Sequence, residues 1–304
     1  MKEIKDGIKV EGLHLRAPFN LERVSFTLPP PDDDSILIKV RLCGICSTDV
    51  AMFVGELPPL PKEMFGHEAV GEVVWKGKNI KDVEVGDYVS CYWHPGYATY
   101  LIAPKGTYIK VPELSIKWNL QPIACVLNCL FLLPFGKICG DGVLVIGSGF
   151  NALVLAQLMP EATFVGQHHQ DLFETFGIKL HSWAQVEGKK FPVVIETTGR
   201  NSFERLLNLI ETSGTLIWLA PPHTPQTADV FKASWNAITI HFPSPRSHFF
   251  SEALKLARSL ISQGKLNPGI LYTHHYPIDA FEDAFKDASI RRPSNHCKSY
   301  FVFP

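Results

Sequence analysis

Apolar positions change rhythm once along the chain. From Ser35 to about Lys110 they form short runs, SILIKVRL, AVGEVVWKG, DYVSCYW, YATYLIAP and TYIKVP, punctuated at close intervals by Gly and Pro. Short β-rich runs between turn residues predict a compact, mostly β domain. LPPPDDD, residues 28–34, reads as a turn-rich loop between early strands. From about Gln121 the runs become continuous: GVLVIGSG, ATFVG, PVVIETTG and TLIWLAPP. They alternate with helical stretches at Phe150–Met159, DLFETFG and SFERLLNLIETSG. Continuous apolar strands separated by amphipathic helices predict a parallel sheet buried on both faces, an α/β architecture. After the strand NAITIHF, the long helix Phe249–Gln263 and the last strand SYFVFP are expected to rejoin the β domain. The expected division is therefore 1–121 with 246–304, and 122–245.

Composition narrows the function classes. With 304 residues the chain can bury two cores. Net charge is −1 with no basic run, which argues against nucleic acid and anionic membrane as partners. Met1–Asp6 lack the apolar core of a signal peptide, and no apolar run reaches the roughly 18 residues of a membrane span. Seven scattered cysteines without an export signal point to reduced thiols in the cytoplasm.

The first chemical motif is Gly147-Ser148-Gly149-Phe150-Asn151-Ala152, directly after GVLVI and opening a helix. Glycines there let backbone N–H groups approach a pyrophosphate, and the helix N-terminus favours its charge. Ala152 is small enough for close helix–strand packing. An acid clamping the ribose 2′-hydroxyl of NAD would fall about 20 residues beyond the first glycine. Gly166, Gln167, His168 and His169 occupy that place, and no carboxylate is among them. Repulsion of a 2′-phosphate is removed, although no arginine attracts one, so NADP is favoured over NAD. The alternative makes His168 and His169 solvated loop residues.

Cys43-Gly-Ile-Cys46 allows a redox pair, half of a zinc knuckle, or neither. No second close pair answers it, so a four-cysteine knuckle fails. FGHEAVGEVV follows, with adjacent His67 and Glu68. Thiolate, imidazole and carboxylate form a zinc set that leaves a position for water or substrate. Spacing alone leaves open that each is simply packed in the core.

CGICSTD followed by GHEAVGEVVWKGKNIKDVEVGDYV closely resembles the medium-chain dehydrogenase/reductase family, specifically its zinc-dependent alcohol and polyol dehydrogenases. The resemblance runs on through VLVIGSGFNALVLAQ, VVIETTG, GTLIWLAPP, ALKLARSLISQGKL and YPIDAFEDAF. It implies a Rossmann-type doubly wound parallel sheet beside a mostly β, GroES-like catalytic domain. It further implies that Cys46 and His67 bind a catalytic zinc, that Cys43 is a packed neighbour, and that Glu68 sits beside the metal. Asp49 would fix the tautomer of a ligating histidine. Thr48 would take the alcohol proton. Members that extend this relay with a histidine three residues on find Ala51 here. Trp93 and His94 would flank the substrate, an alcohol or its carbonyl partner. Members commonly pair as homodimers through the strand matching AITIHF.

Two departures stand out. GDYVSCYWHPGYATY passes from one strand to the next in a few residues, where larger members insert a lobe holding a structural zinc. One catalytic zinc and no structural zinc are expected. LQPIACVLNCL resembles E-P-L-A-C-x-L-x-A, which aligns Gln121 with the third ligand; Glu68 and Cys125 are the rivals. A neutral amide supplies no charge to the metal. Besides the zinc-dependent dehydrogenase, a zinc-free quinone or enone reductase and a non-catalytic nucleotide-binding protein remain as readings.

Overall fold

The computed structural model describes residues 6–59, 65–133, 142–290 and 295–304. The chain separates into two units, Met1–Pro122 with Pro268–Pro304, and Ile123–Asn267. The first opens with β1 (Ile8–Ala17) and β2 (Asn20–Leu28), an antiparallel pair. Then come β3 (Ser35–Gly44), α1 (Ser47–Phe53), β4 (Ala69–Lys76), β5 (Tyr88–Cys91), β6 (Tyr100–Pro104) and β7 (Tyr108–Val111). Helix α2 (Leu120–Leu130) carries the chain out of this unit.

The second unit holds β8 (Val143–Ile146), α3 (Phe150–Leu158), β9 (Thr163–Val165), α4 (Gln170–Thr175) and α5 (Trp183–Val186). It continues with β10 (Phe191–Glu196), α6 (Phe203–Leu207), β11 (Ile210–Trp218), α7 (Val230–Trp235), β12 (Thr239–His241) and α8 (Phe250–Ser262). Its strands are all parallel, ordered β12-β11-β10-β8-β9. Every residue of β8 is buried, as expected of a strand covered on both faces. Strand β8 is flanked by the next two strands in sequence, one on each side. That arrangement makes its C-terminal end the switch point where such sheets place ligands.

The first unit closes with β13 (Tyr272–Pro277), α9 (Phe281–Ile290) and β14 (Lys298–Val302). Its larger sheet runs β13-β14-β3-β4-β5-β7, with β6 also on β3. Strand β14 lies antiparallel to β3, with Tyr300 opposite Gly44 and Phe301 opposite Cys43. The core beneath is aromatic and aliphatic, including Ile36, Ile38, Phe65, Tyr97, Phe285 and Phe301.

Two differences from the expected organisation have physical reasons. The long helix α8 groups with the parallel-sheet unit, so the second boundary falls after Asn267 rather than at 245. Its approach is tied at Ser247, whose hydroxyl donates to Asn128 Oδ1, and at Phe249, whose ring meets Phe131. The segment leaving it is tied where Asn267 N donates to Gln157 Oε1. The stretch SFERLLNLIETSG is helical only to Leu207. Ile210 already pairs with Phe191, and the register then shifts so that Val193 faces Thr215. Ser213 takes a positive φ of 62° within that irregular stretch.

Candidate metal centre and dinucleotide loop

Strand β3 delivers the first donor. After Gly44 the chain turns, and Cys46 becomes the N-cap of α1, its sulfur accepting from Thr48 N at 3.5 Å. Thr48 is half-buried in the first helical turn, and Asp49 beside it is fully buried. The second segment is fixed by the ladder: Cys43 pairs with Ala69, and Gly44 N donates to Glu68 O at 3.0 Å. Residues 67 and 68 are thereby brought alongside residues 43 to 46. One ligating atom each from Cys46, His67 and Glu68 lie within 4.8 Å of one another. It is the one such group of three or more His, Cys, Asp and Glu side chains among the described residues. Thiolate, imidazole and carboxylate fit zinc. Cys43 faces the core instead, its thiol pushed well up by burial.

The surroundings are charged although largely buried. Lys298 Nζ donates to Glu68 Oε1 at 3.0 Å and to Ile45 O at 3.1 Å. Asn119 Nδ2 donates to Glu68 Oε2 at 3.2 Å. Both carboxylate oxygens are thus engaged by the protein. His67 Nδ1 faces Asp49 Oδ1 at 3.7 Å, and the ring of His94 lies 5.6 Å from that of His67. Burial opposes charge on His67, but Asp49, Cys46 and Glu68 outweigh it and push its pKa up to about 10. Burial likewise opposes charge on Lys298, yet the neighbouring Glu68 and Cys46 raise its pKa. Burial raises the Asp49 carboxyl, against His67 and a hydrogen bond from Tyr97, which lower it.

Gln121 is buried in the first turn of α2. The start of that helix is tied to this region from two sides, through Asn119 to Glu68 and by Leu120 N donating to Ser90 Oγ at 3.0 Å. Cys125 lies in the other unit. Cys139, and the first five residues, lie outside the described residues. Trp93 is exposed over about two-fifths of its surface, 42%. None of the six described cysteines is in a disulfide.

Lys298 and Asn119 were not singled out in the sequence. The first lies 230 residues from its partner Glu68, and no local spacing links them. The resemblance in CGICSTD and GHEAVGEVV implies candidate ligands and says nothing of the cation beside Glu68.

The glycine-rich stretch GSGFNA lies between β8 and α3, the strand–turn–helix setting that a dinucleotide loop requires. Gly147 directly follows β8 with φ 121°, a conformation suited to glycine, and a Cβ there would overlap Thr197 Oγ1. Gly149 is the N-cap of α3, whose first residues are Phe150, Asn151 and Ala152, the last fully buried. Gly147 N donates to Val165 O at 2.9 Å, and His168 N donates to Ser148 Oγ at 3.1 Å. Gly166, Gln167 and His168 therefore lie alongside the loop, at the end of β9. Glu196 is a further buried group at this end, closing β10. Its carboxylate accepts from Thr198 N, Gly199 N and Asn201 Nδ2, each at 2.8 Å, and shapes the adjoining turn.

Residues 32–113 match the alcohol dehydrogenase GroES-like domain. The chain is 23% identical to D-arabinitol dehydrogenase 1 of Uromyces fabae, covering 93% of this chain and 95% of that protein. A thermostable alcohol dehydrogenase from Pyrobaculum aerophilum superposes with a TM-score of 0.80 at 17% identity, over 97% of this chain and 100% of that one. A protein from Sinorhizobium meliloti 1021, described as a zinc-binding dehydrogenase and bound to NADP, superposes at 0.76 with 20% identity, over 97% and 99%.

Proposed function

We propose that this chain, a member of the medium-chain dehydrogenase/reductase family, is a zinc-dependent oxidoreductase. It would move a hydride between a nicotinamide cofactor and an alcohol or polyol, or the corresponding carbonyl compound. The observation that carries the reading is the convergence of Cys46, His67 and Glu68 within 4.8 Å. A metal-free site of this fold has no need of that set. Zinc, when bound, polarises a carbonyl and lowers the pKa of a bound alcohol.

Cys46 and His67 hold the metal in this proposal, and Gln121 completes the set. Engagement of both Glu68 oxygens by Lys298 and Asn119 supports Gln121 over Glu68 as the third ligand. Asp49 orients His67 through Nδ1. The Thr48 hydroxyl receives the alcohol proton, and with Ala51 three residues on, that proton leaves by another route. Gly147, Gly149 and the first turn of α3 take the pyrophosphate. Gly166, Gln167 and His168 border the ribose, where the lack of a carboxylate favours NADP. The short link from β5 to β6 supports a single zinc.

Self-association is part of the proposal, because β12 edges its sheet and leaves backbone groups unpaired. Sedimentation at micromolar concentration should give a dimer; a monomer removes this part. A cytoplasmic location is proposed because none of the six described cysteines is in a disulfide.

Metal content tests the reading most directly. Purified, zinc-replete protein should carry about one zinc per chain. Cys46→Ser and His67→Ala should each lose it, and Gln121→Ala should weaken it. Wild-type protein without zinc would favour a zinc-free quinone- or enone-type reductase of the same fold. Two zincs per chain would contradict the single-site reading.

A further inference from the structure

Tyr97 lies in the core of the β-rich unit, fully buried, its ring edge-on to Phe65 at 5.2 Å and to Phe301 at 5.3 Å. Phenylalanine would fill that space equally well, so the hydroxyl requires its own account. A buried hydroxyl is unfavourable unless it is hydrogen-bonded. This one lies 2.6 Å from Asp49 Oδ2 and 3.2 Å from Gly44 O. It has one proton to donate, and the nearer acceptor, Asp49 Oδ2, receives that hydrogen bond. The other Asp49 oxygen, Oδ1, makes no hydrogen bond and faces His67 Nδ1 at 3.7 Å. The two oxygens of one buried carboxylate are therefore divided between Tyr97 and His67.

The backbone of the same residue reaches the other half of the pair. Tyr97 N donates to Phe65 O at 3.2 Å, and Gly96 N donates to Gly66 O at 2.8 Å. Gly66 itself has φ 79°, and a Cβ there would lie 2.6 Å from Tyr97 N. The segment that leads into His67 is thus packed directly on the residue that holds Asp49.

We propose that Tyr97 is a positioning residue: its hydroxyl fixes the Asp49 carboxylate so that the second oxygen faces His67 Nδ1 and favours the ring proton there, leaving Nε2 as the nitrogen available to a metal. This inference rests on the zinc reading above. Burial, reinforced by Asp49, raises the Tyr97 hydroxyl well above the usual tyrosine range, so it stays a donor. Without it, the carboxylate could rotate, and His67 would lose its fixed partner.

The test is a comparison of Tyr97→Phe, Asp49→Asn and the double variant with wild type. Zinc affinity is read by competition with a chromophoric chelator, and geometry by the visible spectrum of the Co2+-loaded protein. Tyr97→Phe should weaken zinc by about 10–100-fold, the range for partners that orient ligands, and change the Co2+ spectrum. In the Asp49→Asn background, Tyr97→Phe should have no further effect. Unchanged affinity and spectrum in Tyr97→Phe would overturn the inference while leaving the metal centre standing. An equal loss in both backgrounds would overturn it too, since packing alone then explains the effect. A wild-type protein that takes up no metal overturns both. Should Tyr97→Phe fail to fold, wild-type NMR decides. The slowly exchanging Tyr97 hydroxyl proton should shift on zinc binding and on Asp49→Asn, and no shift overturns the proposal.

Discussion

The charged cluster around Glu68 gathers side chains from four stretches of chain, residues 44–49, 67–68, 119 and 298. The loop after β8 draws nearly everything from residues 146–152 and the backbone of the adjoining strand ends. One centre depends on which side chains are present and on their charge. The other depends on side chains being absent, so that backbone amides can be approached. Different substitutions should therefore damage each, and damage to one should spare the other.

Removing the cation from the first centre gives the largest expected effect. Lys298 and Glu68 are both buried and paired at 3.0 Å. Lys298→Met keeps the length of the side chain but leaves Glu68 charged in a dry site. Deleting one partner of a buried pair typically costs about 3–5 kcal/mol. Denaturant unfolding of the metal-free protein should show that loss, and nucleotide binding by the second unit should persist at denaturant concentrations below the transition. Adding Glu68→Gln should restore much of the stability, since no unpaired charge remains. If Lys298→Met is neutral by itself, the pair does not hold this centre together.

The same contrast explains what the sequence made legible. The glycine loop is local, so GSGFNA after GVLVI marks the turn between strand and helix and carries the proposal of its role in one stretch. Cys46, His67 and Glu68 were legible because each sits in a short stretch that resembles family motifs, although their convergence required the β3–β4 ladder. Lys298 and Tyr97 were not legible in this way. Lys298 enters through the pairing of β14 with β3, and Tyr97 through the packing of its ring on Phe65, Phe285 and Phe301, which brings its hydroxyl to Asp49. Neither belongs to a local pattern that announces a polar task. The domain boundary failed for a similar reason. Helix α8 is amphipathic whichever core it covers, and only the ties at Ser247, Phe249 and Asn267 reveal its unit.

In the second centre a single methyl group is the sharper tool. Gly147→Ala adds a Cβ at φ 121° against Thr197 Oγ1. Such backbone strain costs about 1–3 kcal/mol. Nucleotide affinity should fall by about ten- to a hundredfold, measured by quenching of protein fluorescence on NADPH addition. Zinc content should be unchanged. Loss of zinc with loss of nucleotide would mean that the two centres are not built independently.

The smallest expected effect separates two cysteines that the sequence sets three residues apart. Cys43 is fully buried beneath the ladder, and its sulfur lies 3.7 Å from Gly44 O. Serine is close in size, and its shorter bond to oxygen leaves a small gap while the hydroxyl still faces that carbonyl. A hydroxyl that keeps only a poor hydrogen bond in a dry site costs about 1–3 kcal/mol, so Cys43→Ser should lower stability toward the bottom of that range. Its zinc content should equal that of wild type, in contrast to Cys46→Ser, whose donor atom belongs to the cluster. Stability is read by denaturant midpoint and zinc by elemental analysis on the same preparations. If Cys43→Ser loses zinc while remaining folded, the ladder between Cys43 and Ala69 has the wrong register, and Cys43 is the ligand.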